Sequence, residues 1–419
     1  MTSKRRVLAT VDEAGRLIVP PELAARLGIV PGAQAWLDED AYGGFLHRPV
    51  TQLAKVYIEP TSRCNLTCRT CIRNNWDELQ GDMSASLFER IITGIQTLPA
   101  PPKVTFGGFG EPLTHPLIGE MVRQAKSVAS PVELITNGIL LTRELSSELI
   151  DAGLDLLWIS LDGVTPESYS DVRLGAALPI VLENLAGFQA EKHAARQTNV
   201  EVGIAFVAMR RNIADLPELL SRSTRLGASR YMVTNVLPYT EEMIPEMLYQ
   251  RAMDVLIETR PSQWAPHVDM PRMDMDDRTR EAMYRMHRIG CNLHLSGDYQ
   301  GKSMDRCPFI ERGVVAIAWD GSLSPCLPLL HNHTSYLDKR RKRTSRRYVV
   351  GNLSEHRLDA LWLQPEYVSF RQRVQAFDFS PCTICGGCDL SELNEEDCFA
   401  NTFPTCGGCL WAQGVIQCP

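Results

Sequence analysis

Several features are missing from this 419-residue sequence, and each absence excludes a class of protein. No apolar run approaches the ~20 residues that a membrane-spanning helix needs. The basic first residues are not followed by the apolar segment of a secretory signal, so we expect a cytoplasmic protein without a membrane partner. The net charge of −7 argues against a protein whose main task is to coat nucleic acid or an anionic membrane.

The composition that is present is that of a folded enzyme or binding protein. Hydrophobic residues make up 44% of the chain and charged residues 22%, which excludes disorder and collagen-like repeats as the main state. At roughly 100 to 200 residues per domain, the length suits two or three domains.

The thirteen cysteines are placed unevenly. Cys64, Cys68 and Cys71 form one tight group, and the other ten lie between Cys291 and Cys418. Without a secretory signal these thiols are expected to stay reduced, and clustered reduced thiols are more often metal ligands than disulfides. The spacing therefore predicts two separate metal regions.

Residues 1–50 are predicted to form a small β-rich unit, in which two strand-like runs precede a helix over 20–28. Residues 15–20, Leu27-Gly28 and Pro31-Gly32 resemble the AbrB/SpoVT/MazE swapped-hairpin module. That resemblance implies dimerisation and, in many members, DNA binding. The six basic residues of the unit are matched by six acidic ones, so a homodimer or docking role is favoured over DNA binding.

Residues 51–245 alternate short apolar runs with stretches that carry apolar residues at helical spacing. Repeated strand–helix units predict a parallel sheet with right-handed crossovers, most simply a full or partial barrel. The predicted fold class is therefore α/β. In that prediction, a partial (β/α) barrel lies between the N-terminal unit and a cysteine-rich C-terminal domain.

The remaining sequence gives weaker signals. The Met-rich stretch 246–300 is predicted to be a helical connection, and 301–419 a loop-rich metal-binding domain. The basic run over 338–347 suits either a nucleic-acid patch or a solvated loop. The acidic balance of the whole chain favours the loop.

Cys64, Cys68 and Cys71 follow the first predicted barrel strand, at the end where barrel enzymes carry their functional groups. Three thiolates would leave one iron of a four-iron cluster open for a substrate or cofactor. A structural zinc site is the alternative, but no fourth cysteine lies nearby in the sequence.

This CxxxCxxC loop resembles the signature of the radical S-adenosylmethionine (SAM) family. The resemblance implies a radical SAM type of partial barrel, a catalytic [4Fe-4S] cluster held by the three cysteines, and SAM bound at the open iron. In that family one electron splits SAM to give a 5′-deoxyadenosyl radical. The cofactors carry out the difficult chemistry, so the protein has to bind them, orient them and exclude competing reactions.

Motifs after the next strands resemble the family's SAM contacts. Gly107, Gly108 and Glu111 look like the Gly-Gly-Glu motif that holds the methionine amino group, since glycine permits close backbone approach and a carboxylate accepts charge-assisted hydrogen bonds. The other contacts implied by the resemblance are Asn137, Ser160, Asp162 and Arg173. Ordinary turn chemistry and, for Arg173, a surface salt bridge are the alternatives.

The C-terminal cysteines resemble the SPASM or twitch extension, which carries auxiliary [4Fe-4S] clusters. Cys307 and Cys326, with Gly321 between them, fit its first half, while the second half is represented by Cys382, Cys385, Cys406, Cys409 and Cys418. Cys388 and Cys398 are additional candidate ligands in a long gap, and Cys291 is unassigned. Two auxiliary clusters are expected, although paired CxxC motifs also suit zinc.

Segments around 348–352, 379–382 and 403–414, together with the N-terminal unit, look like the radical SAM maturases associated with tungsten-cofactor oxidoreductases. This resemblance implies modification of a partner oxidoreductase or its cofactor, with ferredoxin or flavodoxin as electron donor. A ribosomal-peptide-modifying enzyme is the alternative, and an iron-sulfur DNA-binding regulator is a third hypothesis.

Overall fold

The computed structural model describes most of the chain. The described residues are 9–40, 43–76, 78–196, 199–249, 267–271, 273–288, 292–295, 306–337, 341–380, 382 and 388–418. Cys385, one of the predicted metal ligands, lies outside these ranges, as does Cys291.

The strands are, in chain order, β1 (Thr10–Val11), β2 (Leu17–Ile18), β3 (Leu37–Asp40), β4 (Gly43–Leu46), β5 (Lys55–Ile58), β6 (Lys103–Phe106), β7 (Val132–Thr136), β8 (Leu156–Ser160), β9 (Glu201–Ala208), β10 (Arg230–Asn235), β11 (His267–Met270), β12 (Asn292–Leu295), β13 (Val314–Ile317), β14 (Ser322–Ser324), β15 (His333–Tyr336), β16 (Lys342–Ser345) and β17 (Gly351–Asn352).

The α-helices are α1 (Pro21–Leu27), α2 (Ala85–Gln96), α3 (Ile118–Val128), α4 (Arg143–Asp151), α5 (Pro166–Val172), α6 (Leu178–Ala194), α7 (Leu216–Arg225), α8 (Asp277–Arg288), α9 (Pro308–Glu311), α10 (Leu358–Trp362) and α11 (Pro365–Ala376). Within the described ranges, none of these helices combines the length and the apolar character required to cross a bilayer.

A single large sheet organises the chain, in the order β12-β11-β10-β9-β8-β7-β6-β5-β13-β14-β17. Strands β5 to β12 pair in parallel with their sequence neighbours, and helices fill most of the crossovers between them. The prediction of an α/β fold built on a mostly parallel sheet is confirmed.

Local sequence explains why the crossover helices form where they do. Ser84 caps α2 by accepting a hydrogen bond from Leu87 N at 3.2 Å, and Thr142 caps α4 in the same way. The buried residues of α2 recur at helical spacing, so one face packs on the sheet while the other meets solvent. The core of the barrel unit therefore lies between the sheet and its surrounding helices.

The interpretation of 246–300 as a helical connection was incomplete. Strands β11 and β12 extend the parallel sheet beyond β10, and α8 is the one α-helix among the described residues of this stretch. Each of these strands is four residues long and lies in a Met-rich, charged stretch without a clear two-residue alternation. Pairing with an existing sheet edge, rather than local pattern, determines their conformation.

The N-terminal unit contains two small antiparallel hairpins, β1–β2 and β3–β4, with α1 between them. The acidic residues 38–40 form part of β3. Within 9–37 no described residue is buried, so this segment has no core of its own in one chain.

The C-terminal part returns to the barrel. β13 pairs in parallel with β5, and β14 and β17 continue the sheet in antiparallel order. The last residues lie against the end of β10, where Asn235 Nδ2 donates to Val415 O at 2.8 Å and Gln417 N donates to Thr234 Oγ1 at 2.9 Å.

The basic run does not form a solvated loop throughout. Residues 338–340 lie outside the described ranges, but 342–345 form β16, which pairs with β15. Alternation along β16 turns Arg343 inward and leaves Lys342 and Thr344 exposed.

Candidate active site

The three-cysteine loop follows β5 and is held by backbone bonds on both sides. Cys71 N donates to Cys68 O at 3.1 Å, and Arg69 N donates to Val172 O at 3.0 Å. All three thiols are half-buried, and burial raises their pKa, that of Cys71 to about 11. Leu66 N donates to Cys64 Sγ at 3.4 Å, an arrangement that also stabilises a metal-bound thiolate. Three neighbouring thiols with such a donor fit an iron-sulfur cluster with one open iron.

The glycine loop after β6 lies against this segment so closely that side chains would not fit. Gly108 has φ +144°, and a Cβ there would lie 2.7 Å from Glu59 Cγ. A Cβ on Gly110 would overlap the carbonyl oxygen of Thr61. Phe109 N donates to Glu59 Oε1 at 2.9 Å, which joins the ends of β5 and β6. The close approach that the sequence suggested is therefore made within the protein, by Gly108 to Glu59 and by Gly107 to the side chain of Ile135.

Glu111 connects three loops at the carboxyl edge of the sheet. Its buried carboxylate accepts hydrogen bonds from Leu113 N at 3.0 Å, Thr136 Oγ1 at 2.7 Å and Asn137 N at 2.8 Å. Burial raises the pKa of Glu111, and these hydrogen bonds oppose that shift. Asn137 Nδ2 in turn donates to Asn65 Oδ1 at 2.8 Å, inside the cysteine loop. Glu111 and Asn137 are thus both brought to the cysteine loop.

Ser160 and Asp162, at the end of β8 and just after it, differ in burial. Ser160 is the last residue of the strand and is half-buried, whereas the Asp162 side chain is fully enclosed. Asp162 accepts from Val207 N at 2.8 Å and pairs with Arg173 at 2.7 Å. Arg173 also interacts electrostatically with Cys68, which places its guanidinium beside the cluster loop. The geometry favours Asp162 as the group that positions Arg173, and direct SAM contact by either residue stays a prediction.

Four of the C-terminal cysteines meet at one cavity. Its lining includes Cys307, Cys326, Cys406 and Cys409, which come from both halves of the predicted motif. Burial raises the pKa of all four thiols, that of Cys307 to about 12. Two of these cysteines, Cys307 and Cys326, are buried and the other two are half-buried. A set of four such thiols fits a fully ligated cluster.

The other predicted auxiliary ligands that the structure describes do not line this cavity. Cys418 lines a different cavity beside Lys55, and Trp411 Nε1 donates to its sulfur at 3.2 Å. Cys382 is buried, with Ser380 Oγ 2.9 Å from its sulfur, while Cys388 and Cys398 are exposed. Among the described residues, no three His, Cys, Asp or Glu side chains converge closely enough to hold a single metal ion.

A buried histidine between two carboxylates links the C-terminal domain to the active-site loops. His331 Nε2 donates to Glu59 Oε2 at 2.9 Å, and its Nδ1 donates to Glu78 Oε2 at 2.5 Å. Burial by itself lowers the pKa of His331, but the two carboxylates raise it to about 9. The charged ring packs edge-on against Trp76 and Phe109, with centroids 4.3 and 5.7 Å away.

Comparison with known proteins gives the family. The Radical SAM superfamily matches residues 58–193, and the SPASM family, an iron-sulfur cluster-binding domain, matches residues 307–389. A tungsten-containing aldehyde ferredoxin oxidoreductase cofactor-modifying protein from Pyrococcus furiosus is 31% identical over 368 residues, which cover 87% of this chain and 96% of the relative. This chain is a radical SAM enzyme with a SPASM domain. The family resemblance stated from the sequence is confirmed, whereas the AbrB-like nature of the N-terminal unit stays a prediction.

The enzyme is also similar to a cyclase and to two solved structures. A probable GTP 3′,8-cyclase from Methanococcus maripaludis is 26% identical over 69% of this chain and 87% of its own length. The fold matches Streptococcus suis SuiB bound to its precursor peptide SuiA, with a TM-score of 0.54, 17% identity and coverage of 81% of this chain and 72% of SuiB. It also matches anSMEcpe with bound AdoMet and a peptide, with a TM-score of 0.52, 16% identity and coverage of 86% and 96%. These two likenesses show a shared fold.

Radical SAM enzymes need [4Fe-4S] clusters and SAM, and the ligand role of the thiols described above stays a prediction. Reasoning from the sequence missed Glu59, Glu78 and His331. Glu59 directly follows β5 and was detectable by its position between that strand and the cysteine loop. His331 and Glu78 are distant in sequence and meet only in the folded chain.

Protonation of His331 should stabilise the enzyme. Its folded-state pKa of about 9 lies above the ordinary value of 6.5, so this contribution is complete below pH 6.5 and is lost as the pH rises to 9. We expect the stability advantage of the wild type over His331→Gln to fall by at most about 3 kcal/mol across that range. Urea unfolding at pH 6, 7.5 and 9 measures it. His356→Gln, at an exposed position, is the control, and parallel pH profiles for wild type and His331→Gln would contradict the assignment.

Proposed function

We propose that the enzyme uses a 5′-deoxyadenosyl radical to modify a partner protein or its cofactor, in the maturation of a tungsten-dependent oxidoreductase. The relationship to the Pyrococcus furiosus cofactor-modifying protein carries this proposal, because it extends through the barrel and the SPASM domain to 96% of that relative. The alternative, modification of a ribosomal peptide, is supported by the fold shared with peptide-bound SuiB.

In this proposal the side chains at the carboxyl edge of the sheet divide the work. Cys64, Cys68 and Cys71 hold the catalytic cluster, and SAM lies against Gly107, Gly108, Glu111, Asn137, Ser160 and Arg173. The bound cluster supplies the electron that splits SAM. Glu111 is bonded to the loop after β7 and, through Asn137, to the cysteine loop, so it fixes both relative to the strand ends. Asp162 holds Arg173 beside Cys68.

Loss of one catalytic ligand should abolish radical formation without removing the auxiliary clusters. We expect reconstituted Cys68→Ala to lose about four irons and to give no 5′-deoxyadenosine from SAM and dithionite. Cys418→Ala, at a thiol outside this loop that lines a separate cavity, is the control and should keep both its iron and SAM cleavage. Reductive SAM cleavage by Cys68→Ala would refute the assignment.

The substrate class is tested with the same reconstituted enzyme. We expect a SAM-dependent mass change on the purified oxidoreductase or its extracted cofactor. A mass change confined to a small peptide encoded beside the enzyme would favour the peptide alternative. Specific DNA binding that survives moderate salt would instead favour a regulator.

We further propose two auxiliary clusters. The first is held by Cys307, Cys326, Cys406 and Cys409, which line one cavity. The second would use Cys382, Cys388 and Cys398, together with Cys385 outside the described residues. Asp397, next to Cys398, accepts a hydrogen bond from Ser380 N at 3.0 Å, which brings this segment to the Cys382 turn. Cys418 belongs to neither set in this proposal.

Metal analysis tests the division of cysteines. Wild-type enzyme purified without oxygen should hold about twelve irons with matching sulfide, and Cys326→Ser about eight. Cys418→Ser should keep about twelve, because that thiol lines a separate cavity. Loss of four irons from Cys418→Ser, or zinc in place of auxiliary iron, would contradict this division.

The N-terminal unit is proposed to complete its core with a second copy of the chain. No residue of 9–37 is buried, and the apolar side chains of Val11, Leu17 and Trp36 are 65%, 61% and 56% exposed. A two-stranded hairpin is marginal alone in water, so such a unit gains stability from a partner. The balanced charges of residues 1–50 suit a copy of itself better than DNA.

Exposed apolar residues in this unit should therefore control the oligomeric state. We expect wild-type enzyme to sediment as a dimer and Leu17→Ser/Trp36→Ser as a monomer. Leu363→Ser removes an apolar side chain of similar exposure, 54%, from the C-terminal domain and should leave the dimer intact. A monomeric wild type at micromolar concentration would contradict the proposal.

The cysteines also bear on the compartment in which we propose that the enzyme works. Ten of the eleven free cysteines in the described residues belong to the proposed clusters, which need reduced thiols, so we propose that the enzyme works in the cytoplasm. A ferredoxin or flavodoxin is the proposed electron donor.

A further inference from the structure

The Cys406–Cys409 turn lies between two other segments, and its two glycines make this possible. A Cβ on Gly407 would overlap the carbonyl oxygen of Ser380, two residues before Cys382. A Cβ on Gly408 would overlap the guanidinium of Arg343. The turn that supplies two thiols to the four-cysteine cavity is therefore in direct contact with an arginine side chain.

Arg343 is placed inward by the alternation of β16. Its side chain is 5% exposed and lines the same cavity as Cys307, Cys326, Cys406 and Cys409. Its Nη1 donates to Ser391 O at 2.7 Å. Within the part of the chain that the structure describes, no Asp or Glu forms an ion pair with it. Cys406, Cys409 and Cys382 are the groups of opposite charge around it once their thiols are deprotonated.

A buried guanidinium without a counterion is energetically costly, and arginine does not relieve the cost by losing its proton. Burial lowers the pKa of Arg343, and negative charge on the neighbouring thiolates opposes that shift. An iron-sulfur cluster with four thiolate ligands carries net negative charge, which increases by one when the cluster gains an electron. The cavity thus presents a fixed cation to a group whose charge changes during electron transfer.

We propose that Arg343 is the buried counterion of the auxiliary cluster held by Cys307, Cys326, Cys406 and Cys409, and that its charge raises the reduction potential of that cluster. The inference rests on the proposed auxiliary cluster. The physical reason is Coulombic, because a positive charge in a low-dielectric site stabilises the reduced, more negative cluster over the oxidised one. Arg343 is a positioning residue in this account, since its charge acts through the cluster.

The experiment is a potentiometric titration of the full-length, iron-loaded enzyme, followed by electron paramagnetic resonance of the reduced auxiliary clusters. For Arg343→Met we expect about a tenfold smaller ratio of reduced to oxidised cluster at a given potential, a shift of about 59 mV to more negative values. Arg343→Lys keeps the charge and should stay near the wild-type ratio.

Arg346→Met is the matched control. Arg346 lies three residues further along, pairs with Glu395 at 3.1 Å and is 56% exposed, so solvent screens its charge. Its replacement should leave the potential unchanged. Gly408→Ala, which forces the guanidinium away from the turn, should shift the ratio in the same direction as Arg343→Met.

Each outcome decides the proposal. An unchanged potential in Arg343→Met with full iron would overturn it. If Arg343→Met loses the cluster, Arg343→Lys with full iron and a wild-type potential supports it, whereas loss of iron from Arg343→Lys as well would show that guanidinium geometry matters and not charge. Zinc in this cavity of the wild type would refute the proposed auxiliary cluster itself, which the metal analysis distinguishes from failure of the role of Arg343.

Discussion

The parallel pairing of β13 with β5 is the contact on which the arrangement of the active site depends. β5 is the strand that leads into the cysteine loop, and β13 begins the sheet region of the SPASM domain. Beyond the paired strands, Glu59 N donates to Ile317 O at 2.9 Å, so the backbone of Glu59 is fixed by the C-terminal domain. The Glu59 carboxylate then bonds both the glycine loop and His331. The barrel and the SPASM domain, which are far apart in sequence, therefore meet at the strand ends that carry the site.

Buried charges in this molecule are placed where domains or loops meet. Glu111 joins the loops after β6 and β7, Asp162 fixes Arg173, and His331 connects Glu59 and Glu78. Each of these groups is costly to bury unless its partners are in position, so each contact favours one arrangement of the loops over its alternatives. The site is consequently organised by its own polar network.

Much of this could be predicted from the sequence. Between residues 54 and 240 the apolar residues recur at clear strand or helix spacing, and turn and capping residues mark where the elements end. The family motifs mark the cysteine and glycine loops. β11 and β12 were missed because their conformation depends on pairing with a sheet edge. The meeting of Cys406 and Cys409 with Cys307 and Cys326, like that of His331 with Glu78, depends on tertiary contacts that no local pattern encodes. The buried position of the Arg343 side chain was not predicted, because a run of basic residues suggests solvent exposure.

The four-cysteine cavity has a consequence for how the enzyme is made. The four cysteines that line it extend from Cys307 to Cys409. Domains fold from the N-terminus as synthesis proceeds, so the barrel can form while this cavity still lacks half of its thiols. The proposed delivery of iron and sulfide to the cavity as a four-thiol site must therefore wait until Cys409 has been synthesised. The biogenesis of this enzyme thus has a fixed order, in which the first domain is formed before the auxiliary site is complete.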